Sequence, residues 1–197
     1  MTSATGAADL ATKPVLVGER AVLRPFAPDD AAVMAEILRD PELNRLTGSV
    51  HSTAEARAAA PDLDRLRQWY GTRNDQPDRL DLAVVDRATG MLVGEVVLND
   101  WDPANASCNF RILLGPEGRG RGLGTEATRL ILEHAFATVG LHRVSLGVFA
   151  FNPRAQHVYA RAGFVVEGVE REAHRFDGEW VDSILMAVLD HEWAARR

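Results

Sequence analysis

The sequence predicts a mixed α/β (α+β) fold on three observations. Its 197 residues and 46% hydrophobic content suit one domain with a substantial core. Apolar segments of strand-like alternation are interspersed with amphipathic helical ones. Asp177-Gly178 between two apolar segments is a strong hairpin signal. We therefore predict about seven strands and about four helices in one domain over residues 15–197, after a disordered lead-in at residues 1–14.

Turn and capping residues bound the elements of the N-terminal third. A strand over Glu19–Arg24 is followed by a helix that Asp40-Pro41 ends. A second helical region begins at the capping residue Ser52, and Pro61 splits it before Asp62–Tyr70. Three strands should follow: apolar residues alternate over Leu80–Val84, a turn at Ala88-Thr89-Gly90 leads into Met91–Asn99, and Ser107–Leu114 precedes the glycine-dense segment.

The C-terminal elements complete the predicted order. A helix over Thr125–Val139 carries one apolar stripe, and a strand over His142–Phe149 follows it. Asn152-Pro153 begins a short helix that ends at Ala162-Gly163. The two hairpin strands are Phe164–Phe176 and Trp180–Leu189.

Composition and charge narrow the classes of function. The formal net charge of −6 disfavours a nucleic-acid surface, and no apolar segment approaches the roughly 20 residues that span a membrane. Cys108 is the only cysteine, which excludes a disulfide or a cysteine zinc site within the chain. The six histidines lack metal-ligand spacing, so no metal is expected. Without an apolar signal core at the N-terminus, the expected location is the cytoplasm.

A glycine-dense segment, Arg119–Thr125, lies between a predicted strand and a predicted helix. Glycines permit a tight turn, and such a turn directs unpaired backbone N–H groups outward at the helix N-terminus. The positive end of the helix dipole and two arginines, Arg119 and Arg121, add attraction for an anion. The segment predicts a phosphate-binding loop, with a flexible basic turn as the alternative.

Two motifs and the strand between them resemble the GNAT N-acyltransferase superfamily. They are Arg119-x-x-Gly122-x-Gly124, the strand that begins at Leu141-His142-Arg143-Val144, and Asn152-x-x-Ala155-x-x-x-Tyr159 followed by Gly163-Phe164. The resemblance implies one mixed, mostly antiparallel sheet that splays between its fourth and fifth strands, here Ser107–Leu114 and His142–Phe149. It also implies transfer of an acetyl or other acyl group from acyl-CoA to a primary amine, by direct attack in a ternary complex.

Further segments are similar to the ribosomal-protein N-terminal acetyltransferase branch of this superfamily. They are Glu19-Arg20-x-x-Leu23-Arg24-Pro25, Asp40-Pro41 and the closing Asp177-Gly178, Asp182 and Glu192-Trp193. The similarity implies a protein N-terminus or a small amine as the acceptor. It also implies a homodimer, because members of this branch often dimerise.

The resemblance assigns acyl-CoA to the strand before the loop, the loop itself and the later helix. These residues are Ile112, Leu113, Leu114, Arg119, Gly120, Arg121, Gly122, Leu123, Gly124, Thr125, Asn152, Ala155 and Tyr159. Backbone amides of the loop are expected to hold the pyrophosphate, and the edge of the preceding strand to pair with the pantetheine arm. Asn152 either bonds that arm or caps its own helix.

Tyr159 stands at the position of the superfamily's general acid. A phenol has an ordinary pKa of about 10, so it keeps its proton at neutral pH and can donate it to a departing thiolate. The alternative is an aromatic ring that packs beside Phe164.

The general base is less clear from the sequence. Many relatives carry Glu ten residues before the motif arginine, where this chain has Asn109, which orients water but accepts no proton. If the loop 100–106 places Val97 opposite Asn109, Glu95 lies opposite Arg111 on the same face. Glu95 is then either a substitute base or half of an ion pair that lowers its pKa. Proton loss through water to solvent is a third route.

Four residues are candidates for the acceptor site: Trp69, Tyr70, His174 and Asp182. The first two end the second helical region, which borders the acceptor site in the superfamily, and core packing is their alternative. The other two lie on the hairpin strands, where Asp182 either attracts an ammonium group or holds the hairpin.

Two other functions compete with acyl transfer. Asn109 in place of Glu is consistent with a catalytically silent CoA-binding sensor or interaction module. The Arg-Gly-Arg-Gly segment also resembles a short RNA-binding patch, which the acidic net charge disfavours.

Overall fold

A single eight-stranded sheet organises residues 9–196, which a computed structural model describes. The strands are β1 Leu16–Val17, β2 Ala21–Arg24, β3 Leu80–Asp86, β4 Leu92–Asp102, β5 Ser107–Leu114, β6 Arg143–Phe149, β7 Val165–Phe176 and β8 Glu179–Leu189. Their order in the sheet is β1-β2-β3-β4-β5-β6-β8-β7. All neighbouring strands are antiparallel except the parallel pair β5 and β6. The predicted mixed, mostly antiparallel sheet is confirmed.

Seven α-helices flank the sheet within the described residues. They are α1 Asp30–Ile37, α2 Pro41–Leu46, α3 Thr53–Ala58, α4 Leu63–Gly71, α5 Leu123–Glu133, α6 Pro153–Ala162 and α7 Asp190–Ala194. A π-helical segment, His134–Val139, continues α5 to the predicted end of that helix. None of the helices in residues 9–196 is both long and apolar enough to cross a membrane.

The helices bury the two faces of the sheet in separate hydrophobic clusters. On one face α5 and α6 contribute Ile131, Leu132 and Ala162 to the larger cluster. On the other face α1 and α4 contribute Met34 and Tyr70 to the smaller cluster. The apolar stripe predicted on α5 is the buried stripe observed, because one side of an amphipathic helix must face the core.

Proline controls the two helical regions that precede β3. Pro61 separates α3 from α4 as predicted, and Asp62 caps α4 by accepting the N–H groups of residues 64 and 65. Helix α2 lies where the sequence predicts only the end of α1. The carboxylate of Asp40 accepts the N–H of Glu42, and Pro41 is the first helical residue. Asp-Pro-Glu is a helix-start signal, so this dipeptide both ends α1 and begins α2.

The predicted lead-in is wrong over the part that the structure describes. Leu10 is 1% exposed and belongs to the larger core cluster. The ammonium group of Lys13 donates to the carbonyls of Leu10, Gln76 and Arg79. Because a buried leucine and three hydrogen bonds fix this segment, residues 9–14 pack on the domain. Residues 1–8 lie outside the described part of the chain.

Strands β5 and β6 separate soon after they meet. They pair only from Ser107 to Asn109 on β5 and from Arg143 to Ser145 on β6. Past those residues β5 continues to pair with β4, and β6 with β8. The edge that faces β6 is therefore released, which confirms the splay expected at this position.

Candidate active site

A cleft of about 610 Å³ opens where β5 and β6 diverge. Its walls come from β4, β5, the glycine-dense loop, β6, α6 and α2. The lining residues include Glu95, Asn109, Ile112, Leu113, Leu114, Arg119, Gly120, Gly122, Gly124, Thr125, Asn152, Ala155 and Tyr159. The structure thus gathers most of the residues predicted for acyl-CoA and all three predicted for catalysis around one cavity.

The glycine-dense loop presents its main chain to this cleft. Gly120 and Gly122 have φ angles of +71° and +82°, and Gly122 is the N-cap of α5. Within residues 9–196 the amides from Gly120 to Thr125 donate to no protein acceptor. Left-handed glycines and unpaired amides at a helix N-terminus form an anion-binding arrangement. The main chain therefore has the predicted geometry for phosphate.

The two loop arginines both have protein partners. Arg119 lines the cleft, but its guanidinium binds the carboxylates of Asp40 and Glu42 and the carbonyl of Leu114. Arg121 turns away from the cleft and binds the buried carboxylate of Asp86 at 2.6 Å. Both side chains are held by carboxylates of the protein, and their contact with phosphate stays a prediction. The Leu123 side chain likewise packs in the core, 2% exposed.

Helix α6 begins and ends with residues of the second motif. Asn152 is its N-cap and accepts the N–H of Ala155 at 3.1 Å, so the capping alternative is observed. Gly163, with a φ of +115°, ends the helix. Asn152 and Ala155 also line the cleft, and their contact with a pantetheine arm stays a prediction.

Tyr159 lies inside α6 with its ring in the core and part of its surface on the cleft. Its ring meets Phe110 edge-on, with centroids 6.1 Å apart, and lies 5.8 Å from the ring of Phe164. Burial raises the pKa of Tyr159 to about 12. The packing alternative and an acid role are compatible here, because the rings fix the phenol while the raised pKa keeps its proton.

The predicted register of β4 and β5 is wrong by two residues. Asn109 is opposite Asn99, Arg111 is opposite Val97, and Leu113 is opposite Glu95. Strand β4 runs on to Asp102 and the register shifts after Asn99, so the chain turns later than the predicted loop. A two-residue shift preserves the faces, because side chains alternate with a period of two. The Asn109 side chain donates to that of Asn99 at 2.9 Å.

Glu95 is a buried carboxylate on the cleft. It is 6% exposed, and its Oε2 atom has no hydrogen-bond partner among the described residues. Burial and, secondarily, the charge of Asp81 raise its pKa to about 7, against smaller lowering effects of Arg111, Tyr70 and Arg79. No Glu95–Arg111 ion pair forms within residues 9–196, so the predicted lowering of the pKa is wrong. A carboxylate that titrates near neutrality suits proton transfer.

The four acceptor candidates lie behind or beside the cleft rather than on its wall. Trp69 is 44% exposed and stacks with the guanidinium of Arg73. Tyr70 is buried against Phe26, and its hydroxyl hydrogen-bonds Glu95. Neither Trp69 nor Tyr70 lines the cleft. They can affect the site only through residues that do line it, such as Glu95.

The hairpin candidates are held by protein contacts. His174 is buried with its ring 4.8 Å from that of Phe149, which lines the cleft. The carboxylate of Asp182 accepts the N–H of Glu172, whose φ is +54°, at an irregularity of β7. The hairpin-holding alternative for Asp182 is the one observed, and contact of either residue with substrate stays a prediction.

The sequence analysis missed α2, the helix that covers one side of the cleft. We call residues 40–58, which include α2 and α3, the α2–α3 strap. Leu43, Leu46 and Thr47 of the strap line the cleft. Arg119 fixes its beginning, and the carboxylate of Asp177 binds the backbone and hydroxyl of Thr53 near its end. The helix-start signal at Asp40 was the local indication of α2, as the capping residue Ser52 was of α3.

Comparisons with known proteins agree with this architecture. The acetyltransferase (GNAT) domain family matches residues 20–165. The spermidine N(1)-acetyltransferase of Escherichia coli (strain K12) is 30% identical over 122 residues, 62% of this chain and 64% of that protein. The ribosomal protein uS5-alanine N-acetyltransferase of the same organism is 29% identical over 91 residues, 46% of this chain and 47% of that protein.

A solved structure shares the fold. The spermidine N-acetyltransferase of Vibrio cholerae, crystallised with CoA and spermine, superimposes with a TM-score of 0.78 at 22% identity over 90% of this chain and 99% of that one. Within residues 9–196 no group of three or more His, Cys, Asp or Glu side chains is placed to hold a metal ion. The match to the family over most of the chain, joined to the splayed sheet and its glycine-dense loop, shows that this protein belongs to the GNAT acetyltransferase family.

Proposed function

We propose that this protein transfers an acetyl or other acyl group from acyl-CoA to a primary amine. One observation carries the proposal: a single cleft joins unpaired amides at the N-terminus of α5 to Glu95 on one wall and Tyr159 on another. An anion site, a carboxylate that titrates near neutrality and a protonated phenol are what attack of an amine on a thioester requires.

The residues of the cleft fit acyl-CoA on the donor side. The amides from Gly120 to Thr125 suit a diphosphate, and the edge of β5 after Asn109 is released from β6 and suits an amide-bearing arm. When bound, acyl-CoA supplies an acyl group activated as a thioester. Main-chain donors hold phosphate without a charged side chain, which is consistent with both loop arginines having protein partners.

Glu95 is the proposed general base. The acceptor amine must lose a proton to attack, and a carboxylate with a pKa of about 7 is half deprotonated at neutral pH. Its Oε2 atom has no partner among residues 9–196 and is free to accept that proton. Asn109, at the position of the usual glutamate, instead bonds to Asn99.

Tyr159 is the proposed general acid. It donates its proton to the sulfur that leaves, and a pKa of about 12 keeps that proton in place before the reaction. The surrounding rings of Phe110 and Phe164 limit the motion of the phenol and exclude water from its core side.

The relatives support two acceptor classes for this chain: a polyamine, as in the spermidine enzymes, and a protein N-terminus, as in the ribosomal one. A position within the ribosomal-protein branch, a homodimer and a cytoplasmic location remain predictions.

The test separates binding from turnover. We expect calorimetry to detect CoA binding, and free thiol to be released from acetyl-CoA when a primary amine is present. Tyr159→Phe should bind CoA within about threefold of the original affinity yet lose about 100-fold in kcat, because it removes only the proton donor. CoA binding without thiol release across a broad amine panel would favour the silent binding module.

A further inference from the structure

We propose that the acceptor end of the cleft selects an amine that carries an anionic group a few bonds from its nitrogen, and that Arg111 binds this group. The inference rests on the proposed acyl transfer and adds the substrate class. An amino acid with a free carboxylate and a peptide with an acidic first residue share this chemistry.

Carboxylates are scarce at the acceptor end. Among the residues that the structure describes, Glu95 is the only acidic side chain on the cleft wall. Asp40 and Glu42 at the start of the α2–α3 strap are neutralised by Arg119. A polyamine would bring further ammonium groups that find no counter-charge on this wall. The electrostatics therefore oppose a polycation.

The unpartnered oxygen of Glu95 marks where the amine belongs. Its Oε2 is buried and lacks a hydrogen-bond donor within residues 9–196. A buried carboxylate oxygen that accepts no hydrogen bond is energetically unfavourable. An N–H group of a substrate could supply the missing hydrogen bond. The substrate amine is the donor that the reaction itself would place there.

Arg111 lies beside this position, and its guanidinium has no partner among the described residues. Arg111 is opposite Val97 and lies on the same face of the sheet as Glu95. Arg111 and Glu95 are therefore diagonal neighbours across the two strands, with Cα atoms about 7–8 Å apart. Its guanidinium is exposed on the cleft and forms no hydrogen bond or ion pair within the described residues. A guanidinium in this state can bind a carboxylate through two parallel hydrogen bonds.

The two side chains together define a matched pair of subsites. Glu95 takes the amine, Arg111 takes the anion, and the strap residues Leu43 and Leu46 form an apolar wall beside them. The fixed positive charge of Arg111 then lies beside the amine site. The same charge repels a second ammonium group. Arg111 would thus determine specificity by binding the anion and by opposing a polycation.

The experiment uses acceptor pairs that differ only in charge. One pair is a free amino acid and its amide, and the other is two peptide amides that begin with Asp or with Asn. Spermidine is included as a polycationic acceptor. Each is measured for kcat/KM with acetyl-CoA in the original protein, in Arg111→Gln and in Arg111→Lys. Arg129→Gln is the matched control, because it removes an exposed charge on α5 outside the cleft lining.

The original protein should prefer the anionic member of at least one pair by about 10- to 100-fold, the size expected for a hydrogen bond to a charged group. Arg111→Gln should abolish that preference and leave the neutral member within about threefold, and Arg111→Lys should restore part of it. Arg129→Gln should change neither member. An effect in the amino-acid pair would identify an α-carboxylate as the bound anion. An effect in the peptide pair would identify the acidic side chain of a first residue.

Three results would overturn the inference. They are a preference for spermidine or for the neutral members, an equal loss for both members in Arg111→Gln, and the same loss in Arg129→Gln. Calorimetry with CoA alone separates these from failure of the proposed function. A chain that binds no CoA and acetylates no amine refutes the acyl transfer, whereas a chain that acetylates amines without a charge preference refutes only the role of Arg111.

Discussion

The donor side and the acceptor side of the cleft are built in different ways. The donor side depends on main-chain groups: amides at the start of α5, glycines with positive φ angles and the released edge of β5. The acceptor side depends on side chains from β4, β5 and the α2–α3 strap, and the strap is far from the two strands in sequence. Main-chain geometry is specified locally by glycine, whereas side-chain pairs depend on strand register. The donor side should therefore tolerate side-chain changes that the acceptor side does not.

The largest expected effect is on the acceptor side, at Glu95. Glu95→Gln should lower kcat by about 100-fold or more with CoA affinity unchanged, because the amide accepts no proton. In the original protein kcat/KM should rise with pH through about 7 as Glu95 loses its proton, and the variant should lack this step. Steady-state kinetics from pH 5.5 to 9 checks both. A variant that keeps both its rate and this step would assign the base elsewhere.

The same substitution should stabilise the protein. The pKa of Glu95 is about 7 in the folded chain against an ordinary 4.5, so the folded chain keeps a proton that the unfolded chain releases. Stability should therefore fall as pH rises between these values, by on the order of 3 kcal/mol. Glu95→Gln removes this loss, and thermal melts should show a larger gain at pH 8 than at pH 4.5. A gain that does not depend on pH would contradict the raised pKa.

On the donor side the next largest effect should come from Gly122. Gly122→Ala places a Cβ on a residue with a φ of +82°, and this strain is expected to shift the loop; the nearest atom, Nη1 of Arg20 at 2.6 Å, ends a flexible side chain that can move. Loss of about one charge-assisted hydrogen bond to phosphate corresponds to roughly tenfold weaker CoA binding. Gly90→Ala is the control, since its φ is +72° and no atom of residues 9–196 lies within 4 Å of the new Cβ. Calorimetry should show unchanged CoA affinity for Gly90→Ala, and equal losses in both variants would refute a specific role for the loop.

The smallest effects should separate the two loop arginines. Arg119→Gln frees Asp40 and Glu42 at the start of the strap, so it should lower kcat/KM for the acceptor about five- to tenfold, with CoA affinity within about threefold. Arg121→Gln should leave both quantities unchanged, because its partner Asp86 lies away from the cleft. It should lower the melting temperature by no more than about 4 °C. If Arg119→Gln weakens CoA binding by much more than acceptor turnover, its guanidinium contacts phosphate after all.

Predictions from the sequence were most accurate where a local signal was sufficient. Asp177-Gly178 forms its hairpin turn, Pro61 splits a helix, and the glycine-dense segment leads into α5. Each outcome depends on the φ preferences of one or two residues. Such preferences can be read from a few consecutive positions of the sequence. The strap shows the limit, because a helix-start signal at Asp40 does not reveal where the helix packs.

Predictions about side-chain partners were less accurate. Glu95 was placed on the correct face, but its partner across β5 is Leu113 rather than Arg111. Arg119 and Arg121 were assigned to phosphate, and both instead bind carboxylates that are at least 35 residues away in sequence. A partner of that kind depends on how the helices and strands pack, which no short motif encodes.

The sequence by itself determined the alternating pattern of the sheet, the glycine turn ahead of α5 and the aromatic residue at position 159, because each follows from local backbone preference or from a spaced motif. Tertiary structure alone decided that, among the described residues, Glu95 is buried without a full set of partners and Arg111 nearby has none. The reason is physical: burial and pairing are properties of neighbours across strands, and the free energy of a charge depends on those neighbours rather than on its own place in the chain.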